Sequence, residues 1–368
     1  MKFVSEIRYI DIKNIKNIKK LDDKMKSNDG EKSIKNIISL MKLSHLKELT
    51  KTFEVHVSGK RKEDFVEIIS FYIKNNISVI IGNFITYEEY VFIKAVCDNN
   101  YTVSLNENYN IEEDVEKSLE YLGIIYSYYD FNEKKISMPF EIREIIKLGI
   151  SKIDIIEHSK ENQELIELFR SLLDIYGVIP QDVLLDYIVQ DFRMEYEVHE
   201  AIKTLWRYNN RYNLYYSDYK LNYCNINIID IKSLNEKLST KSDINYKYYD
   251  KSQLKNRSNR NLHYIEKEIY VVLKRHFKSS EVTLKHLDYI RTMIKNDISS
   301  RDISKYIMNE TKRMGEQGRI IIEGLVDMAR IYYPLWTLKG HSLNDLKSSC
   351  KLMQVKDLRK YKKVKINL

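Results

Sequence analysis

Proline and glycine are scarce in this chain, with three Pro and ten Gly among 368 residues. A β-sandwich needs many turns, and turns draw on both residues, so the scarcity favours helices joined by short links. Cys97, Cys224 and Cys350 stand far apart and form no CxxC. Neither a disulfide framework nor a cysteine zinc site is expected, which fits a reducing cytoplasm. No apolar run approaches the roughly 20 residues of a membrane span. The first twenty residues are charged throughout and lack a signal-peptide core. Phosphate loops of the GxxxxGK[ST] and GxGxxG types are absent, as are GxSxG and HExxH. The eight His are scattered, none beside Cys or another His at ligand spacing. Asp182, Asp186 and Asp191 lie on or near one helix and read as a solvated acidic face. His341, in Lys339-Gly340-His341-Ser342, reads as a turn residue. No cofactor, metal or enzyme active site is therefore expected.

What is present is charge, and it is segregated. Hydrophobic residues make up 43% and charged residues 31%, a globular balance, and the length suits two or three domains. The net charge is +8, yet residues 85–200 hold 10 Lys+Arg against 25 Asp+Glu. The flanks are correspondingly basic. Residues 251–278 carry eight Lys/Arg and two Glu, and 351–368 carry seven and one. Basic elements of this kind can meet phosphate, whereas the acidic middle cannot.

Residues 1–36 form a basic N-terminal segment. Over 37–75 the pattern predicts helix, extended link, helix. Leu43, Leu46 and Leu49 have helical spacing, Phe53 to Val57 is extended, and a second helix carries Phe65, Ile68, Ile69 and Tyr72. Residues 80–150 read as helix, strand, helix, hairpin and helix. The helix before the hairpin is acidic, with Glu112, Glu113, Asp114, Glu116 and Glu120 against Lys117, and would be repelled from a major groove. The order recurs over 160–240, where Trp206 and Tyr208 are expected in the core. Residues 241–262 read as a basic linker. Residues 263–350 read as successive amphipathic helices, and 351–368 as a basic tail.

The stretch LSHLKELTKTFEVHVSGKRKEDFVEII resembles the SAP module and its relative, the Rho N-terminal-like helix-extension-helix. Leu46, Leu49, Val57, Ser58, Gly59, Lys60 and Phe65 occupy that pattern's places. The resemblance implies phosphate contact at the second helix, where free N–H groups face an anion and Lys60, Arg61 and Lys62 add charge. The units at 80–150 and 160–240 have the element order of winged helices. WTLKGHSLNDL resembles a stretch of uncharacterised bacterial proteins that often end in a SEC-C zinc motif. The cysteines of that motif are missing here, so its metal does not carry over.

The expected fold is mainly α with small β-hairpins: a SAP-like module, two winged-helix-like units and a C-terminal helical domain. The expected function is a cytoplasmic, non-enzymatic DNA-binding protein, a bacterial regulator. Its first contact set is Lys47, Ser58, Gly59, Lys60, Arg61 and Lys62. A second set is Lys255, Arg257 and Arg260. RNA binding and a protein-interaction adaptor are the rival readings. The C-terminal helices are expected to meet a protein partner or a second copy, and no membrane contact is expected.

Overall fold

The computed structural model describes residues 32–104, 113–130, 133–147, 153–190, 198–218, 220–258, 264–277, 279–311 and 314–349. Among these residues the chain is mainly helical, with two small antiparallel sheets of three strands. It divides into two compact units. The first comprises Met1–Glu167 and Arg193–Leu214, the second Leu168–Phe192 and Tyr215–Leu368.

The first unit begins with α1 (Ile34–Leu40), capped by the Ser33 hydroxyl, and α2 (Leu43–Thr52). The long α3 (Lys62–Phe84) follows, then α4 (Tyr87–Asp98). Strand β1 (Thr102–Ser104), α5 (Glu113–Tyr121), β2 (Tyr126–Asp130), β3 (Glu133–Ser137) and α6 (Phe140–Lys147) complete its contiguous part. The strand order is β1-β3-β2, with Val103 opposite Ile136 and Tyr128 opposite Lys135. Gly123 ends the turn after α5 with φ +72, and a Cβ there would meet Ile38 at 2.6 Å. Helix α3 is central. Its Ile68, Ile69, Ile73 and Ile80 are fully buried in a core shared with Leu46, Leu49, Ile93 and Ile136. Each such side chain contributes about 1.5–3 kcal/mol on leaving water.

Length and composition make α3 the one helix among the described residues that is apolar enough to cross a membrane. It is a charge-interrupted helix and not a continuous apolar run, and half of its most apolar window is buried. Lys62, Glu63, Asp64, Glu67 and Lys74 break the apolar run in the sequence, but Val66 to Phe84 still holds a long enough window. Its isoleucines pack against α1, α2 and α6.

Helix α7 (Ile153–Tyr176) runs from the first unit into the second. It stops at Gly177, φ +68, as the sequence predicts. Strand β4 (Val178–Ile179) and α8 (Gln181–Gln190) follow in the second unit, and β5 (Tyr215–Ser217) and β6 (Tyr223–Asn225) complete the order β4-β6-β5. The short β4 is not evident from the sequence. Helix α9 (Val198–Tyr212), read as part of a unit over 160–240, belongs instead to the first unit. Tyr208 is buried as expected, whereas Trp206 is exposed. The side chains of α9 that turn inward are Ala201, Leu205, Arg207 and Tyr208, and Trp206 lies off that stripe.

The rest of the second unit is α10 (Ile231–Ser239), α11 (Lys251–Ser258), α12 (Tyr264–Lys274), α13 (Ser280–Lys295), α14 (Ser300–Thr311), α15 (Glu316–Tyr332) and α16 (Leu343–Ser349). Ile265, Ile269, Leu287, Ile290, Ile303, Ile307, Ile322 and Val326 form its main core. A buried polar group sits beside that core: the Tyr333 hydroxyl and the Arg291 guanidinium both donate to Glu266. Residues 241–258 are not a free linker. The Tyr249 hydroxyl donates to the Gly340 carbonyl at 2.7 Å, its backbone N–H donates to the Tyr187 hydroxyl at 2.9 Å, and Leu254 is fully buried. Polar composition hid Tyr249, which acts as an anchor. On the other side of this strap, Lys339 donates to the carbonyls of Lys241 and Ile244 at 2.9 and 2.7 Å. His341 Nε2 lies 3.1 Å from the Asn245 carbonyl, and its backbone N–H donates to the Leu338 carbonyl at 3.0 Å in a turn.

Candidate nucleic-acid interface

The helix-extension-helix of the first unit carries the candidate residues. Helix α2 buries Leu46 and Leu49 and turns Lys47 and Lys51, one helical turn apart, to solvent. The link Phe53 to Arg61 opens with a turn at Phe53 and Glu54, where the sequence predicts an extended chain, and pins itself with Phe53 and Val55 in the core. Ser58, Lys60 and Arg61 are exposed, and Gly59 is half-buried. Lys62 opens α3 and donates to the Ser39 carbonyl at 2.7 Å. That bond satisfies a carbonyl at the end of α1 and sets the Ser58–Lys62 turn beside it.

The implied phosphate site at the start of α3 already holds an anion. Asp64 accepts from the Arg61 backbone N–H at 3.0 Å. A Cβ on Gly59 would lie 2.0 Å from the Asp64 carboxylate, so the glycine is needed for that carboxylate to close over the turn. The Arg61 backbone N–H and the Lys62 ammonium are thus engaged within the protein. The exposed cations Lys47, Lys60 and Arg61 keep their charge facing water and form no ion pair among the described residues.

Three exposed cations escaped the sequence reading: Lys35, Lys42 and Lys51. A charge count over 32–62 reveals them, with eight Lys/Arg against Glu48 and Glu54 alone. Glu54 does not offset them at the surface, because it is held by α9. Lys203 Nζ lies 3.1 Å and Arg207 Nη2 2.9 Å from Glu54 Oε1. Partial burial alone would raise the Glu54 carboxyl. The hydrogen bond from Lys203 and the charges of Arg207 and Lys203 outweigh it and hold the group below the usual carboxylate range.

Helix α9 is rich in cations, yet its cations are consumed. Lys203 and Arg207 also meet Glu200, at 3.3 and 3.7 Å. Arg211 is buried against Glu89 at 2.8 Å, donates to Ser118 Oγ at 2.9 Å and to the Phe84 carbonyl, and stacks over Tyr208 and Tyr212. The Tyr212 hydroxyl donates to Glu89 at 2.9 Å. Burial, then the Glu89 charge, pushes the Tyr212 phenol far above its ordinary value, so it stays a donor. The acidic α5 is likewise turned inward in part. Glu116 accepts from Ser127 Oγ at 2.6 Å and pairs with Lys134, and Glu120 accepts from Ser127 too.

The second candidate set is divided. Lys255 is exposed on α11, Arg257 belongs to the same helix, and Arg260 lies outside the described residues, as do 1–31 and the tail 351–368. Helix α11 is fixed by Leu254, whose carbonyl accepts from Ser171 Oγ at 3.2 Å. Among the described residues no group of three or more His, Cys, Asp or Glu could hold a metal. Asp182 and Asp186 are exposed, and Asp191 lies outside the described residues. Burial pushes the thiol of Cys97 up to about 11 and that of Cys224 to about 12, which keeps both as unreactive thiols at neutral pH. No family model, curated protein or solved structure matches this chain.

Proposed function

We propose that this protein is a cytoplasmic, non-enzymatic DNA-binding regulator that holds duplex phosphates on the basic face of its N-terminal helix-extension-helix. The observation that carries the reading is the cation-dominated surface of 32–62, where Lys35, Lys42, Lys47, Lys51, Lys60 and Arg61 are exposed beside one exposed acid, Glu48, while Glu54 is drawn into pairs with Lys203 and Arg207. Long cationic side chains at such a surface contact phosphates by exchanging condensed counterions. Lys255 and Arg257 would add a second, weaker contact.

The SAP-like reading rests on the helix, extension and helix of α2 and α3. It differs from the resemblance in one respect, that phosphates meet side chains and not the start of α3. The sheet orders β1-β3-β2 and β4-β6-β5 support a winged-helix-like reading of the two small sheets, used for packing. A second copy or a protein partner would meet α15 at its exposed Ile320, Ile321, Met328 and Tyr332, and sedimentation across a concentration series tests it.

The direct test is fluorescence anisotropy with labelled duplex DNA, single-stranded DNA and RNA at low salt. The reading expects duplex to bind and to weaken linearly in log salt. Preference for RNA would support the RNA-binding rival, and no binding to any of the three would support the adaptor.

A further inference from the structure

We infer that the DNA face of this protein is blind to sequence and accepts any B-form duplex through its phosphates alone. The inference rests on the DNA-binding reading and goes beyond it by fixing the class of ligand.

Sequence is read when a helix or ribbon brings Arg, Asn, Gln or Glu side chains to base edges in the major groove. In the first unit α5 stands directly before strand β2, as a reading helix does, and α9 carries three cations. Neither presents the groups to do it. Helix α5 carries Asp114, Glu116 and Glu120, two of which accept from Ser127, and phosphates would repel it. Helix α9 carries Lys203 and, of the right residue type, Arg207 and Arg211. Their side chains are 19%, 10% and 2% exposed, and each is paired with Glu54, Glu200 or Glu89. Freeing them would leave those carboxylates unpaired, with Glu89 wholly buried.

The exposed cations of the 32–62 face are lysine with a single arginine: Lys35, Lys42, Lys47, Lys51, Lys60 and Arg61. Lysine is a flexible point charge without the planar fork that recognises guanine in two bonds. Its contacts position a protein on the duplex and carry no sequence information.

The test is anisotropy with four labelled duplexes of equal length, namely mixed sequence, A-tract, GC-rich and alternating AT, each titrated with the full chain over a salt series. The expected result is affinities within about threefold of one another and parallel salt slopes. A tenfold or larger preference for one duplex overturns the inference while leaving DNA binding in place. Failure of every duplex to bind at low salt overturns both. Lys203→Gln supplies a second arm. Its slope should match wild type, because that lysine faces Glu54 and Glu200 and Arg207 still holds Glu54, and a slope lower by about one unit would mean that α9 touches DNA and would overturn the inference. Thermal unfolding of the variant confirms that a folded protein is compared.

Discussion

Arg211 and Glu89 meet across 122 positions of sequence, Nη1 2.8 Å from Oε1, with side chains 2% and 0% exposed. The pair fastens α9 to α4 and, through Ser118, to α5. A buried charge that loses its partner is costly, about 3–5 kcal/mol. Arg211→Met should therefore lower the stability of the first unit by that amount in urea unfolding, and Arg211→Met with Glu89→Gln should recover part of the loss. A cost below about 1 kcal/mol would show that the pair is not what holds α9 in place.

Glu54 gives a pH-dependent version of the same attachment. Its folded carboxyl lies below the ordinary 4.5, so the unfolded chain binds the proton more tightly. The contribution is complete above the unfolded value and fades as pH falls through the lower folded one. Wild type should exceed Glu54→Gln in stability near neutral pH, with the difference shrinking as pH drops below about 4.5. A difference that grows toward acid would contradict the pairing with Lys203 and Arg207.

Gly177 combines a left-handed backbone, φ +68, with the Trp336 ring 2.6 Å from where a Cβ would stand. The indole is fully buried and donates from Nε1 to the Asp174 carbonyl at 2.9 Å, so it has little room to move. Gly177→Ala should cost roughly 1–3 kcal/mol from the backbone alone, and more from the clash with the indole. Thermal unfolding measures it, and an unchanged midpoint would refute the packing described.

The strap over 241–258 predicts a protease pattern. Lys247 and Lys251 should resist trypsin in the folded protein, because Tyr249 fixes the chain between them to Gly340 and Tyr187. Tyr249→Phe leaves the Gly340 carbonyl without its donor, a loss of about 1–3 kcal/mol, and should open both sites. Rapid cleavage of wild type at Lys247 would restore the linker reading.

Local signals in the sequence locate most elements. Gly123 and Gly177 stop their helices in the left-handed region, and Tyr126 to Ser137 alternates as a hairpin. Helical spacing places α2 and the helices of 263–350. What the sequence hides is long-range pairing. Arg207 and Arg211 look like surface cations until Glu54 and Glu89 are brought to them, 153 and 122 positions away. The same blindness made Tyr249 look like linker and α9 like part of a unit over 160–240. The candidate face was half legible. Lys47, Lys60 and Arg61 are exposed as their spacing suggests, while the role of Asp64 could have been read from its place three residues after Arg61.

The central claim is tested most directly by replacing the exposed cations and leaving the engaged Lys62 alone. Lys47→Ala, Lys60→Ala and Arg61→Ala together, compared with wild type on one labelled duplex over a salt series, should weaken binding at low salt. The slope of log affinity against log salt should fall by about one unit for each phosphate that is no longer neutralised. An unchanged slope and affinity in a folded triple variant would contradict the account and remove the helix-extension-helix as the DNA face.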